Sequence, residues 1–256
     1  MARRKLGQHF LIRGSILERI ARAACPEEEP LVVEIGPGRG ALTSHLLSHA
    51  GRVVAMEIDP YLVGHLGEKY AGEGRLEIVE GDALKIDLAR WGPAVIAGNL
   101  PYYAATSIIL RALQLGPVLR RAVFLVQSEV AARTASGPGS RDYGYFSVAT
   151  QLFADAEVLF EVKPAAFHPP PKVDSAAIRL TPRDRAGELG IRDPQAFLYF
   201  VSMCFRQKRK TLRNNLAAEY PRERLGNWPE AGLRAEQISL DQFAGLYLRL
   251  GAGLTG

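Results

Sequence analysis

The segment Gly98–Tyr103 reads Gly-Asn-Leu-Pro-Tyr-Tyr and follows a short apolar run. The side-chain oxygen of Asn99 and the backbone carbonyl of Leu100, held by Pro101, can both accept hydrogen bonds from an NH₂ group. Such bonds would aim the lone pair of a weakly nucleophilic amine, such as that of adenine, at an electrophilic methyl group. Tyr102 offers a ring on which a flipped-out base can stack. The segment predicts methylation of an adenine amine, with Asn99, Leu100, Pro101 and Tyr102 as catalytic residues.

Three glycines, Gly36, Gly38 and Gly40, lie between a predicted buried strand and a predicted helix. Glycine lets the backbone turn sharply and approach a ligand closely. The spacing is GxGxG, whereas the dinucleotide-binding fingerprint is GxGxxG. The loop therefore predicts a nucleotide-containing cofactor other than NAD, with Gly36 and Gly38 among its contacts.

Acidic residues end the next two predicted strands. Glu57 lies about twenty residues after the first glycine, where a carboxylate can accept hydrogen bonds from both ribose hydroxyls. Asp82 ends the third strand, where it can bind the amine of an adenine ring or simply stabilise a turn. Asp59 is the neighbouring alternative to Glu57, although a helix cap before Pro60 explains it better. With the methyl-transfer segment, these residues predict S-adenosylmethionine (SAM) as cofactor.

Short apolar, β-branched runs alternate with helical stretches in the first part of the chain. Parallel strands need helical crossovers, so this alternation predicts an α/β fold with a mostly parallel sheet. The last three runs have no clear helices between them, which predicts an antiparallel edge. The runs are Leu31–Ile35, Arg52–Ile58, Leu76–Val79, Ala94–Ala97, Ala122–Val126, Ser147–Phe153, Glu157–Val162 and Ala176–Leu180.

A change of composition predicts two domains. Residues 181–194 contain two prolines, two glycines and six charges without periodicity, as expected for a linker. Residues 1–180 would form the SAM-binding catalytic domain, and residues 195–256 a small helical RNA-binding domain. In the latter, apolar residues from Phe197 to Phe205 recur at helical spacing, which indicates core packing.

Composition limits the class of protein. The chain has 256 residues, 32 Lys and Arg against 27 Asp and Glu, and a net charge of +5, which permits a polyanionic partner. We expect no metal: His45 and His49 stand at a zinc-compatible spacing of four, but no third ligand is evident. The pattern shows no secretory signal and no membrane-spanning run, so a cytoplasmic protein is expected.

Six ordered motifs together resemble the KsgA/RsmA family, the small-subunit rRNA adenine dimethyltransferases. The resemblance implies a Rossmann-like SAM-dependent methyltransferase fold. It also implies dimethylation of the N6 amines of two adjacent adenosines in a hairpin loop near the 3′ end of 16S rRNA, during 30S subunit assembly. A monomer is expected. The motifs are Leu6–Leu11, Glu34–Gly40, Asn99–Tyr102, Val123–Gln127, Phe167–Ser175 and Phe205–Leu216.

The same resemblance implies a role for particular residues. His9 and Leu11 would cover the cofactor, Gly36 would contact its methionine part and Asn99 would touch both cofactor and substrate. Phe167 would enclose the target adenine from the side opposite Tyr102. Two positions depart from the family pattern: His9 replaces an expected asparagine, and Ser128 an expected lysine.

Basic residues cluster between Arg206 and Arg213 without an intervening acid. Spacings of three and four predict that Arg206, Arg209 and Arg213 share one helical face. Although a solvated charge run is the usual interpretation of such a cluster, next to a base-modifying site it predicts contacts with RNA phosphates. The predicted RNA-binding residues are Arg206, Lys208, Arg209, Lys210 and Arg213, with Arg3, Arg4 and Lys5 as candidates for a second contact.

Two alternatives remain open. An enzyme related to the Erm resistance methyltransferases would act on 23S rRNA, although the basic run favours the small subunit. A non-catalytic ribosome assembly factor would use the same fold as a scaffold. The intact Asn99–Tyr102 segment and Glu57 argue against it.

Overall fold

The computed structural model of the protein describes residues 9–225 and 228–251. The basic residues Arg3, Arg4 and Lys5 lie outside this range. The strands are β1 (Phe10–Leu11), β2 (Glu29–Ile35), β3 (Ala50–Glu57), β4 (Leu76–Glu80), β5 (Ala94–Asn99), β6 (Leu119–Gln127), β7 (Ala154–Val162), β8 (Phe167–His168) and β9 (Ser175–Pro182).

Helices connect these strands and make up most of the C-terminal part. They are α1 (Gly14–Ala24), α2 (Ala41–Leu46), α3 (Pro60–Lys69), α4 (Ala105–Leu113), α5 (Ser128–Ala135), α6 (Tyr145–Phe153), α7 (Arg185–Glu188), α8 (Pro194–Cys204), α9 (Leu212–Leu216), α10 (Arg222–Leu225) and α11 (Leu240–Gly251). In the described residues, no helix is both long enough and apolar enough to cross a membrane.

Seven strands form one sheet in the order β4-β3-β2-β5-β6-β9-β7. The pairs from β4 to β6 are parallel, and β9 runs antiparallel to β6. The predicted parallel sheet with an antiparallel edge is confirmed. Its central strands are apolar on both faces because helices cover both sides. This topology brings the carboxyl ends of β2, β3, β4 and β5 to one edge.

A second, two-stranded sheet was not predicted. In it, β1 pairs with β8, with Phe10 opposite His168 and Leu11 opposite Phe167. Each strand has two residues, too few to show a periodic pattern. The pairing ties the beginning of the chain to the loop before β9.

One predicted strand is wrong. The run Ser147–Phe153 lies within helix α6, where Val148 and Leu152, one helical turn apart, are both buried. The Ser147 hydroxyl accepts a hydrogen bond from the backbone N–H of Gly144 and so caps the helix start. Short apolar runs fit both periodicities, and here the cap and the buried spacing decide for the helix.

The chain separates into two compact units whose boundaries differ from the predicted ones. The first comprises the described residues up to Ala131 together with Ala156–Pro182, and the second comprises Ala132–Asp155 and the described residues from Arg183 onward. Segment 132–155 therefore leaves the predicted catalytic domain, because α6 packs against α7, α8 and α11. The predicted linker is also ordered: Asp184 caps α7, and Arg185 pairs with Asp241 at 2.9 Å.

The second unit has its own hydrophobic core. Phe197, Phe200 and Cys204 on α8 are buried, as is Phe243 on α11, which agrees with a packing role for this stripe. The buried Tyr143 hydroxyl donates to the carbonyl of Ile238 at 2.9 Å and satisfies its polar group.

Candidate active site

A cavity of about 340 Å³ opens at the sheet edge where the parallel strands end. Its lining includes the residues that directly follow β2, β3, β4 and β5, which is where ligands bind in open α/β sheets. All but one of the predicted cofactor and catalytic residues line it: His9, Leu11, Gly36, Gly38, Glu57, Asp82, Asn99, Leu100, Pro101 and Tyr102. Phe167 does not.

The glycine loop needs glycine for two separate reasons. Gly36, Gly38 and Gly40 all have positive φ angles, of 69°, 58° and 74°, which other residues rarely adopt. A Cβ on Gly38 would also lie 3.0 Å from the Phe10 ring. The loop therefore keeps its backbone exposed to the cavity while β1 passes close to it.

Backbone N–H groups hold the buried Glu57 carboxylate from two sides. One oxygen accepts from Gly38 at 3.0 Å, and the other from Ile58 at 2.9 Å and Asp59 at 3.1 Å. Each carboxylate oxygen has two lone-pair sites, so acceptor capacity remains for a ligand. Asp59 itself caps α3 through the N–H of Tyr61, as the helix-cap interpretation predicts.

Asp82 both stabilises a turn and lines the cavity, the two roles that the sequence left as alternatives. Its carboxylate accepts from the N–H of Leu84 at 2.9 Å, a turn-stabilising bond. It also lines the cavity and keeps part of its surface exposed. A turn carboxylate can therefore also face a ligand.

The amide of Asn99 is oriented by the N-terminal segment. Its Nδ2 donates to the backbone carbonyl of His9 at 3.1 Å. A carbonyl only accepts, so the amide nitrogen must face His9. The acceptor Oδ1 then remains for an amine in the cavity.

The two rings predicted to enclose a base lie in different surroundings. The Tyr102 hydroxyl lies 3.1 Å from the hydroxyl of the buried Ser175, and burial raises the pKa of Tyr102. Phe167 packs in the core with Leu11 and Val162, so this structure does not show it at its predicted place. The ring that stacks on Tyr102 is His9, with centroids 5.7 Å apart and planes inclined by 29°. Sequence reasoning named Ser175 only as the last residue of a motif and gave it no role, because nothing local indicates that it contacts Tyr102.

Glu34 is a second buried acid of the cavity, and sequence reasoning named it only as part of a motif. It is 1% exposed and accepts from the Thr43 hydroxyl at 2.6 Å. Burial raises the pKa of Glu34 to about 7, despite the opposing effect of the Thr43 bond. Desolvation disfavours its charged form, so a proton or a bound cation stabilises this group.

We expect this acid to make stability depend on pH. A raised folded pKa stabilises the fold fully below the ordinary value of 4.5, and this stabilisation is lost as pH rises through about 7. The loss amounts to about 3 kcal/mol. The free energy of unfolding, measured in urea between pH 5 and 8, should fall with rising pH in the natural chain and not in Glu34→Gln. The exposed Glu28→Gln should retain the natural slope; an equal slope in Glu34→Gln would contradict the assignment.

The basic cluster does not lie on one helix. Helix α8 ends at Cys204 and α9 begins at Leu212, so Arg206, Lys208, Arg209 and Lys210 occupy the loop between them. The side chain of Asn215 forms hydrogen bonds with backbone groups of this segment that a continuous helix would pair with each other. Its Nδ2 donates to the carbonyl of Cys204 at 2.8 Å, and its Oδ1 accepts from the N–H of Gln207.

The surface of this loop is nevertheless basic. Its four cations and Arg213 on α9 are exposed. Arg206 pairs with Glu219 at 3.4 Å, an exposed ion pair that contributes little to stability. The prediction that Arg206, Arg209 and Arg213 share one helical face is wrong. The predicted cluster of exposed cations is present.

His45 and His49, the two histidines at zinc-compatible spacing, contact the side chain of Glu18. His45 and His49 lie 2.9 and 3.1 Å from the carboxylate of Glu18, which also accepts from Arg22. These hydrogen bonds, with that of Arg22 the largest, lower the pKa of Glu18 to about 2. Within residues 9–225 and 228–251, no group of three or more ligand residues is placed to hold a metal ion.

The sheet order, the cavity at its carboxyl edge and two similar solved structures define the class as a Rossmann-like methyltransferase. A solved dimethyladenosine transferase from Plasmodium falciparum is 26% identical, with a TM-score of 0.83 over 95% of this chain and 98% of that one. The solved 23S rRNA methyltransferase ErmE is 28% identical, with a TM-score of 0.72 over 94% of this chain and 99% of that one.

The sequence comparisons are more specific. Residues 1–248 match the family described as ribosomal RNA adenine dimethylase. A relative from Acidobacterium capsulatum, named ribosomal RNA small subunit methyltransferase A, is 43% identical over 96% of this chain and 90% of its own length. The chain belongs to the ribosomal RNA adenine dimethylase family and is an rRNA methyltransferase.

Proposed function

We propose that the protein uses SAM to dimethylate the N6 amines of two adjacent adenosines in a hairpin loop near the 3′ end of 16S rRNA, while the 30S subunit is assembled. The observation that carries this proposal is the Asn99–Tyr102 segment at the cavity, with the amide oxygen of Asn99 available to an amine. The name of the Acidobacterium capsulatum relative supports the small subunit. We expect a monomer acting in the cytoplasm.

The residues present fit SAM. Glu57 would offer its Oε2 to a ribose hydroxyl, and Asp82 would accept from an adenine amine. The glycine loop leaves room for the methionine part near Gly36, and the buried Glu34 would gain from a nearby positive charge. His9 and Leu11 would cover the bound cofactor. When bound, SAM supplies an electrophilic methyl group.

The chain's own residues would orient the acceptor amine. The Oδ1 of Asn99 and the carbonyl of Leu100 would accept from its two hydrogens, directing the nitrogen lone pair out of the adenine ring plane. The Tyr102 ring, held through Ser175, would stack on the base. Phe167 would have to leave the core to enclose the base from the other side.

The assignment of the substrate is tested by transfer of labelled methyl groups from SAM. We expect label in immature 30S particles that lack the modification, at two adjacent adenines mapped on the 16S rRNA. Label in 23S rRNA would support the Erm-like alternative, to which the 28% identity with ErmE gives weaker support. Label in neither RNA would support a non-catalytic assembly factor.

The exposed basic cluster would bind RNA phosphates. Replacing Arg206, Arg209 and Arg213 together by alanine should lower the affinity for 30S particles. Each lost phosphate contact removes counterion release, so the slope of log affinity against log salt should fall by about 2 to 3. Binding titrations at several salt concentrations measure it.

A triple variant with the same charge loss provides the control. Arg52, Arg90 and Arg192 are also exposed, and their replacement by alanine should change the slope much less. An equal change in both variants would mean that the basic cluster contributes only net charge.

A further inference from the structure

The histidine at position 9 lies at the methyl-transfer site. Its ring lines the cavity and stacks on that of Tyr102, with 5.7 Å between centroids. Its backbone carbonyl accepts from the amide of Asn99 at 3.1 Å. One residue thus contacts both the amide that would hold the amine and the ring that would hold the base.

Hydrogen bonding determines which ring nitrogen carries the proton. The Nδ1 of His9 lies 2.7 Å from the carbonyl oxygen of Pro169. Because that oxygen only accepts, Nδ1 must donate, and the neutral ring then carries its lone pair on Nε2. The two ring nitrogens point in nearly opposite directions, so Nε2 faces away from Pro169. No partner for Nε2 is found among the described residues.

We infer that Nε2 of His9 accepts the proton that the adenine amine loses when it is methylated; this inference rests on the proposed function. The amine lone pair forms the new N–C bond, and the C–S bond of SAM breaks with its electron pair going to sulfur. As the N–C bond forms, positive charge develops on the nitrogen and one of its hydrogens passes as a proton to Nε2, so the base contributes to the rate of the methyl-transfer step. The imidazolium passes this proton to water, so the ring is ready for the second methyl transfer.

Other titratable groups could produce a similar pH dependence. Besides Tyr102, the charged and titratable side chains that line the cavity are Glu34, Arg39, Glu57, Asp82, Tyr103 and His168. Among the described residues, His168 is the other histidine that lines the cavity, so it must be tested separately. The pKa of Glu34, raised to about 7 by burial, makes it a further group to test.

The test compares His9→Phe, which keeps a ring for stacking, with His9→Asn, which keeps hydrogen-bonding groups that do not titrate. Single-turnover methyl transfer to immature 30S particles should slow in the natural chain as pH falls from 8 to 6. Both variants should lose this fall and be about 10-fold slower at pH 8, a modest effect because a methylated aromatic amine is already acidic. In His168→Asn and Glu34→Gln, the transfer rate should still fall as pH is lowered from 8 to 6.

A second measurement needs neither cofactor nor RNA. Histidine ¹⁵N NMR of the full chain, with the His9 signal identified by its absence in His9→Asn, should show the proton on Nδ1 at high pH. A proton on Nε2 would overturn the inference, as would an unchanged fall of rate in His9→Phe. Loss of the fall in His168→Asn or Glu34→Gln would also overturn it. If neither 30S nor 23S RNA is methylated by the natural chain, the proposed function fails instead, whatever the tautomer.

Discussion

Asn99→Ala should reduce kcat/KM for methyl transfer by about 1,000-fold, as expected when a positioned hydrogen-bonding group is removed from a reaction centre. The variant lacks the Oδ1 that would orient the amine, and the carbonyl of His9 loses its donor. Single-turnover transfer of labelled methyl groups to immature 30S particles measures the loss. Binding of the particles should change little, since the basic cluster is intact.

The exposed amide Gln114 provides a matched control in the same unit. Gln114→Ala should transfer methyl groups at the natural rate. If Asn99→Ala lost particle binding and transfer to the same extent, the assumption of separate binding and catalytic surfaces would be wrong. Transfer within a few-fold of the natural rate would remove Asn99 from the reaction centre.

Glu57→Ala should weaken SAM binding about 100-fold, which corresponds to about 3 kcal/mol. The change removes the carboxylate that would accept from the ribose hydroxyls. It also leaves the N–H groups of Gly38, Ile58 and Asp59 without their carboxylate. Calorimetric titration of the purified chain with SAM measures the dissociation constant, independently of RNA.

Glu80 is a suitable control because it occupies the position opposite Glu57 on the neighbouring strand and is exposed. Glu80→Ala should bind SAM normally. Glu57→Gln keeps one acceptor oxygen, so its dissociation constant for SAM should lie between those of the natural chain and Glu57→Ala. This variant controls for a loss of folding in Glu57→Ala. A dissociation constant within twofold of the natural one in Glu57→Ala would place the ribose elsewhere.

The first half of the fold is predictable because its signals are local. Strands buried on both faces read as continuous apolar runs, and ligand-binding residues follow their ends directly. Gly36, Glu57, Asp82 and Asn99 could therefore be assigned to one edge of the sheet from the amino-acid sequence. The structure brings all four to one cavity.

The wrong predictions concern short segments that fit two patterns. The run Ser147–Phe153 is too short to separate strand from helix by periodicity, and only its cap and its packing in the second unit select α6. The basic cluster has helical spacing, yet the buried Asn215 side chain supplies alternative bonds to the backbone and the chain forms a loop.

The amino-acid sequence by itself determined the family and predicted the cofactor site and the amine-binding segment, because each depends on residues close together in the chain. Only the tertiary structure decided which ring faces Tyr102. Phe167 is buried through pairing with β1, and His9 reaches its place through Pro169, 160 residues away. Contacts over such separations depend on how the whole chain packs, and no local pattern encodes them.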